Sequence, residues 1–419
     1  MSAAKVGAAS VKTTDEIIAL TGNFVMNTYG RLPLVLVRGE GTRVWDAEGR
    51  EYLDFVSGIA VNGLGHCHPA VVEAIRRQAG ELIHCSNLYH IEPQARLAKL
   101  LVENSALDKV FFCNSGAEAN EAAIKLARKW GKINYGPERY VVITARESFH
   151  GRTLATLTAT GQEKYQEGYE PLPIGFRYVP LNDLRAMERA MTSDVCAVLL
   201  EPVQGEGGVN LCEPGYLKEV RRLCDRQGAL LILDEVQTGL GRTGKFFAYQ
   251  HFDVEPDILT IAKSLGGGFP IGAMLATDKV ASAFKPGSHA STFGGNPLAS
   301  AAALAAMEVL LDEGWIDHAA QMGAFLMEEL RRLQARHRVI RQVRGLGLMA
   351  GMELEKEDLG GEVVAACQRK GVLLNSVHGR VIRFLPPLIV GEQEIKRVVA
   401  VLDEVLAELG LSCPGCEPC

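Results

Sequence analysis

Two short apolar runs, each ending in one charged side chain, constrain this chain more than any other feature. Ala229-Leu230-Leu231-Ile232-Leu233 ends at Asp234, and Leu259-Thr260-Ile261-Ala262 ends at Lys263, which is followed by Ser264-Leu265-Gly266-Gly267-Gly268. Runs of this length and composition read as strands buried on both faces, the kind that parallel sheets use. α/β sheets keep their chemistry at the carboxyl ends of their strands, so the acid and the amine are expected in one crevice.

The surrounding pattern agrees with such a sheet. From about Leu53 to Ser300 short apolar runs alternate with longer helical ones, which predicts an α/β fold with a mainly parallel sheet. Expected strands are Lys109 to Cys113, Tyr140 to Thr144, Cys196 to Leu200, Leu230 to Leu233, Ile258 to Ile261 and Gly272 to Ala276. Near the start, Leu34 to Val37 and Arg43 to Asp46 flank Gly39-Glu40-Gly41 as a hairpin, with a further strand near Tyr52. After Leu298 come Ala- and Leu-rich helices, short strands near Gly347 to Leu354 and Val381 to Phe384, and a last helix from about Gln393 to Leu409. The expected division is 1–60 and 301–410 as a smaller α+β unit, 61–300 as the large unit, and 411–419 as a Cys-rich tail.

Charge and composition exclude several function classes. The balance of 44 basic and 50 acidic residues gives −6, with no basic stripe, so nucleic acid is not an expected partner. Met1 to Leu20 lacks a continuous apolar segment, and the longest apolar stretch, Leu298 to Leu311, is interrupted by Glu308 and too short to span a bilayer. The expectation is a cytoplasmic protein with no membrane contact. Seven of the ten cysteines are scattered singly and read as reduced, small apolar residues. Cys413, Cys416 and Cys419 form a C-x2-C-x2-C run, which reads as a redox-sensitive tail, or as a metal or partner site that is one ligand short of a tetrahedron. No metal is expected at the main site.

Four further segments gather at the same predicted sheet edge. Asn114-Ser115-Gly116-Ala117 turns from a strand into a helix, and the first N–H groups of such a helix suit a phosphate. The same residues also read as an ordinary helix start, with Ser115 as N-cap and a Glu121/Lys125 pair on an exposed face. Phe149-His150-Gly151-Arg152 offers a ring to stack on a flat cofactor and a guanidinium that can grip a carboxylate bidentately. Glu201 to Gly208 forms a polar, glycine-rich rim containing Glu206. Asp234-Glu235-Val236-Gln237 adds an apolar surface and an amide to the acid. Lysine forms a Schiff base with an aldehyde cofactor, and pyridoxal 5'-phosphate pairs such a lysine with an acid for its pyridinium nitrogen. Pyridoxal phosphate is therefore the expected cofactor.

These motifs, in this order, resemble the class III branch of the fold type I pyridoxal-phosphate aminotransferases, from about Tyr29 to the last helix. Asp234 and Lys263 are 29 residues apart (263 − 234), as in that branch. The resemblance implies a seven-stranded, mainly parallel sheet, with Lys263 bonded to the cofactor aldehyde and Asp234 on the ring nitrogen. It further implies Gln237 near the phenolic oxygen, Val236 and Phe149 on either side of the ring, and Ser115, Gly116 and Ala117 at the phosphate. Ser291-Thr292-Phe293-Gly294-Gly295-Asn296 resembles the family segment whose threonine, here Thr292, reaches the phosphate of the neighbouring subunit, implying a homodimer with shared sites. Asn114 to Lys129, Phe149 to Gly161 and His289 to Pro297 are most similar to the acetylornithine-type members of the family. That similarity implies N-acetylornithine as donor and 2-oxoglutarate as acceptor, Arg152 on the substrate α-carboxylate, and Ser291 beside the substrate. It places apolar Ile59 where ornithine enzymes carry a tyrosine, and makes Glu206 and Arg383 a switching pair. The competing expectations are ornithine, succinylornithine, succinyl-diaminopimelate or 4-aminobutyrate as donor, an aminomutase or decarboxylase, and a non-catalytic metal- or redox-responsive protein.

Overall fold

The computed structural model describes residues 13–411. Seven strands form the central sheet, in the order Lys109–Cys113, Gly272–Ala276, Ile258–Ile261, Leu230–Asp234, Val195–Leu200, Val141–Ala145 and Phe176–Val179. Gly272–Ala276 runs antiparallel to both of its neighbours, and every other pairing is parallel. Every residue of the strands Val141–Ala145, Val195–Leu200, Leu230–Asp234 and Ile258–Ile261 is buried, which is why they lack a polar face in sequence.

Helices cover both faces. Gly116–Tyr135 starts where Ser115 Oγ accepts the Glu118 N–H at 3.2 Å, and ends before Gly136, whose φ of +103° stops it. Its buried stripe, Ala119, Ala122, Ala123, Leu126, Ala127 and Trp130, lies against the sheet. The alanines let the two backbones approach closely. Pro297–Asp312 buries Ala299, Ala302, Ala303 and Ala306 and packs on Pro69–Glu81, Glu92–Glu103 and the short 3₁₀ segment Lys263–Gly266.

Two smaller sheets draw on the chain ends. Leu36–Glu40, Arg43–Asp46 and Glu51–Asp54 are extended by Val372–Leu373, with Val372 beside Leu53 in parallel register. Ile340–Leu346, Met349–Leu354, Val381–Phe384 and Asn375–Val377 form an antiparallel sheet in that order. Trp315–Arg336 packs on this sheet and Glu392–Glu408 packs on Trp315–Arg336.

The sequence reading named six strands of the central sheet and missed Phe176–Val179, a half-buried edge strand interrupted by Arg177. It also missed Ile340–Leu346, which carries Arg341, Gln342 and Arg344 and shows no apolar run. The expected Glu121/Lys125 pair is a correction: Thr153 donates to Glu121, and Lys125 Nζ lies 2.7 Å from His289 Nδ1. Cys113, Cys196, Cys212, Cys224 and Cys367 are buried free thiols, whereas Cys67 is exposed and Cys85 half-buried. Burial pushes Cys113, Cys196, Cys224 and Cys367 up to about 12, which makes them unreactive. Cys413, Cys416 and Cys419 lie outside the described residues. Among the described residues no helix is long and apolar enough to cross a membrane.

Candidate active site

The carboxyl ends of the central strands open into a pocket of about 460 Å³, within the range of small-molecule sites. Ser115, Gly116, Ala117, Phe149, Arg152, Glu206, Asp234, Val236, Gln237 and Lys263 all line it. Residues separated by up to 148 positions (263 − 115) in the chain thus converge because their strands end at one sheet edge.

Asp234 is the most tightly held of them. Register places it beside Thr260 on the adjacent strand. Thr260 Oγ1 donates to Asn120 Oδ1 at 2.7 Å, and Asn120 Nδ2 donates to Asp234 Oδ2 at 2.7 Å. His150 Nδ1 donates to the same oxygen at 2.8 Å, and the Val236 N–H to Oδ1 at 3.0 Å. All four side chains, Thr260, Asn120, His150 and Asp234, are buried. A carboxylate fixed by three donors cannot rotate away from a partner in the pocket.

Lys263 begins the 3₁₀ segment at a φ of +42°, a strained conformation for a residue with a Cβ, costing about 1–3 kcal/mol. The neighbouring Ser264 helps hold it by donating to the Ala60 carbonyl at 2.8 Å. Burial lowers the Lys263 amine from 10.5 to about 8, the opposing pull of Glu206 being insufficient to restore it. The amine enters no ion pair among the described residues, which keeps it available as a nucleophile or base.

Glu206 and Arg383 form the second charged centre. Arg383 is fully buried and donates from Nη1 to Glu206 Oε1 at 2.6 Å and to Gln237 Oε1 at 3.4 Å. Burial alone would raise Glu206, but the charge and hydrogen bond of Arg383 outweigh it and hold Glu206 below its usual range. Arg152 stands at the mouth of the pocket, its guanidinium carbon 4.0 Å from the Tyr165 ring centroid and 5.6 Å from that of Phe149.

Four predicted residues lie off the pocket wall: Arg383, which reaches it only through Glu206 and Gln237, and Ser291, Thr292 and Ile59. Ser291 sits at the pocket's edge, accepting from Asn114 Nδ2 at 3.0 Å. Thr292 is exposed, and Ile59 is 40% exposed with a φ of +63°. Val61, two residues beyond Ile59, lines the pocket instead. The sequence alone gives no role to Asn120, Thr260 or His150. An asparagine amid the alanines of a buried helix face was the available signal. Glu201 ties two loops together, accepting the Phe149 N–H at 3.0 Å and the Gly205 N–H at 3.3 Å, and burial pushes it upward. Among the described residues no group of three His, Cys, Asp or Glu side chains is arranged to hold a metal ion.

These residues fit pyridoxal phosphate. A fixed carboxylate for the ring nitrogen, an unpaired amine for the aldehyde and two apolar walls line one pocket. At the helix start, a Cβ on Gly116 would stand 2.7 Å from Val236 Cγ1, so the turn at Ser115–Ala117 and the apolar wall at Val236 are in direct contact. The fold and the pocket therefore define an enzyme of the kind that works through an aldehyde cofactor held by a lysine.

Comparison with known proteins makes this specific. Residues 24–406 match the model of the family Aminotransferase class-III. Acetylornithine aminotransferase of Caldanaerobacter subterraneus subsp. tengcongensis is 56% identical over 393 residues, covering 94% of this chain and 100% of the relative. A crystal structure of ornithine aminotransferase from Toxoplasma gondii, described as having partial occupancy of PLP at its active site, superposes with a TM-score of 0.92 at 37% identity, covering 96% of each chain. Acetylornithine aminotransferase from Elizabethkingia anophelis gives a TM-score of 0.86 at 35% identity, covering 95% of this chain and 100% of the other. The chain belongs to the class III aminotransferases, and its cofactor is pyridoxal phosphate.

Proposed function

We propose that this enzyme moves the terminal amino group of N2-acetylornithine to 2-oxoglutarate, giving N-acetylglutamate 5-semialdehyde and glutamate, a step of arginine biosynthesis. The donor assignment is supported by the 56% identity over nearly the whole chain to a relative of that name. The TM-score is higher for an ornithine enzyme, 0.92 against 0.86, but at only 37% identity. Backbone superposition reports a fold that both activities share, so sequence identity carries more weight for the donor.

The site residues take these roles. Ser115, Gly116 and Ala117 hold the phosphate, Phe149 and Val236 flank the ring, Gln237 faces the ring oxygen, and Asp234 sets its carboxylate against the ring nitrogen. The bound cofactor supplies an electron sink for the carbon that loses its proton. Lys263 Nζ is both the attachment point and the base that takes that proton. Arg152 grips the substrate α-carboxylate, Ser291 lies beside the substrate, and apolar Ile59 leaves room for an acylated α-nitrogen.

The observation that carries the two-substrate reading is the ion pair of fully buried Arg383 with half-buried Glu206, whose side chain lines the pocket together with Lys263. While the monocarboxylate amine reacts, Glu206 neutralises Arg383. When Glu206 moves aside, Arg383 binds the second carboxylate of 2-oxoglutarate or glutamate. Both substrates use one pocket in turn, which requires ping-pong kinetics. The reading includes a homodimer in which Thr292 reaches the partner's phosphate site, a large unit over 61–300 with a smaller one from both ends, and a cytoplasmic location beside the amino-acid pool.

The test is single half-reaction spectroscopy on the cofactor-loaded enzyme with N-acetylornithine, ornithine, 4-aminobutyrate and N-succinyl-diaminopimelate added separately. N-acetylornithine is expected to convert the cofactor fastest. Faster conversion by ornithine would replace the donor and the role of Ile59 while leaving the chemistry in place.

A further inference from the structure

Under the proposed function Glu206 must leave Arg383 and return in each catalytic cycle, yet it stands on a segment that should hold it poorly. Gly205-Glu206-Gly207-Gly208-Val209 contains three glycines, and glycine-rich backbone is loose unless something outside it intervenes. Val209 has a φ of +58°, unfavourable for a β-branched residue, and is nevertheless fully buried. What fixes it is the antiparallel sheet that carries Arg383. Across that sheet Arg344 pairs with Gly351, Gly351 with Arg383, and Arg383 with Asn375. Residues directly opposite one another project from the same face.

The two arginines therefore stand on one face with a gap between them. At that gap a Cβ on Gly351 would lie 3.1 Å from Val209 Cβ, so Val209 is seated tightly in the notch left by the missing side chain at position 351. On one side Arg344 grips the segment, Nε donating to the carbonyls of Gly208 at 3.0 Å and Val209 at 3.1 Å, and Nη2 to Gly208 at 2.7 Å. Its Nη1 is anchored on Glu353 at 2.5 Å. On the other side Arg383 holds Glu206.

We propose that Arg344, acting with the notch at Gly351, is a positioning residue that clamps the backbone carrying Glu206, so that Glu206 engages and leaves Arg383 by side-chain rotation alone. This rests on the roles given to Glu206 and Arg383 under the proposed function. The clamp uses the fork geometry of a guanidinium, which a lysine cannot reproduce. Without it the segment samples positions in which Glu206 fails to cover Arg383. The uncovered guanidinium then disfavours the amine donor, which has one carboxylate, and favours the dicarboxylate.

The experiment compares R344M, R344K, E206Q and the R344M/E206Q double variant as cofactor-loaded enzymes. Half-reaction rate constants with N-acetylornithine and with glutamate are measured, together with the affinity for unreactive glutarate by calorimetry. R344M is expected to lower the N-acetylornithine-to-glutamate ratio by about tenfold, to tighten glutarate binding, and to add nothing further in the E206Q background. R344K should fall between R344M and the parent enzyme. A proportionate loss of both half-reactions with unchanged glutarate affinity would mean a merely structural role and overturn the clamp, as would additivity with E206Q. If E206Q itself leaves the ratio unchanged, the switching pair falls and the clamp with it; if E206Q shifts the ratio and R344M does not, the clamp alone falls. Should R344M fail to fold, Gly351→Ala presses on Val209 from the other side and must shift the ratio in the same direction.

Discussion

Lys263 shows how one residue's surroundings set its chemistry. With the amine lowered to about 8, about one molecule in ten carries a neutral amine at pH 7, against about one in three thousand at the ordinary value of 10.5. The neutral form is the nucleophile. The rate at which cofactor-free protein captures pyridoxal phosphate, followed by absorbance, should therefore rise with pH and level off just above 8; a rate still climbing at pH 10 would contradict this. The effect on stability has the matching sign. The unfolded chain keeps this proton to higher pH than the folded one, so the residue costs stability below pH 8, and stability recovers as pH rises from about 8 to 10.5. Lys263→Ala should remove at least about 10³ of the turnover with the circular dichroism spectrum unchanged. Retained turnover would refute the central role of the residue. Lys263 and Asp234 were legible in the sequence because two buried-strand patterns each end in a single charge, and the acid and the amine together point to one site more strongly than either does alone. Asn120 and Thr260 were not, because their partners lie 114 and 140 positions away and only the sheet brings them together.

At the scale of elements, the strands were legible where the apolar run is unbroken, including the partly exposed edge strand Lys109–Cys113, and illegible where arginines interrupt it. Phe176–Val179 and Ile340–Leu346 fall in the second group, their alternation broken by arginines. The turns between elements carry a dependence on pH that no periodicity reveals. Glu235 is buried next to Asp234 and accepts the N–H groups of Ala248 at 2.5 Å and Tyr249 at 2.7 Å, tying the end of its strand to the 3₁₀ segment Ala248–His251. Burial raises it to about 8, those two donors only partly opposing the rise. A raised acid stabilises the fold fully below its unfolded value near 4.5 and loses that contribution as pH climbs through about 8. Glu235→Gln should therefore be less stable than the parent at pH 5 by about 1–3 kcal/mol, since one N–H then faces an amide donor. The gap should narrow towards pH 8. Thermal unfolding across that range checks it, and a gap that widens with pH would reverse the assignment.

At the scale of the whole molecule, Leu82, Ile83, Leu88, Tyr89 and Phe293 are exposed, and His84 packs on Phe293, so much of this apolar surface gathers near the segment that carries Thr292. A patch of that kind suits a subunit interface. The proposed dimer makes a sharp prediction through its shared sites. Lys263→Ala and Thr292→Ala, each impaired alone, should regain activity when refolded together, because a hybrid dimer joins an intact Lys263 on one subunit to an intact Thr292 on the other. No recovery in hybrids verified by mass would refute the sharing.

The sequence by itself determined the sheet that forms, the edge at which its chemistry gathers, and the acid and amine placed there. Those follow from short-range patterns: apolar runs, helix starts, and charges at strand ends. Only the tertiary structure decided that Asp234 is held by Asn120 and His150, that Arg383 is fully buried against Glu206, and that Arg344, Gly351 and Arg383 stand in one row beneath Val209. Each of these depends on strand register and on which face of a sheet meets which loop, and a single residue of slip would undo them. Local propensity cannot carry that information, because it is fixed by packing between segments that the chain holds far apart.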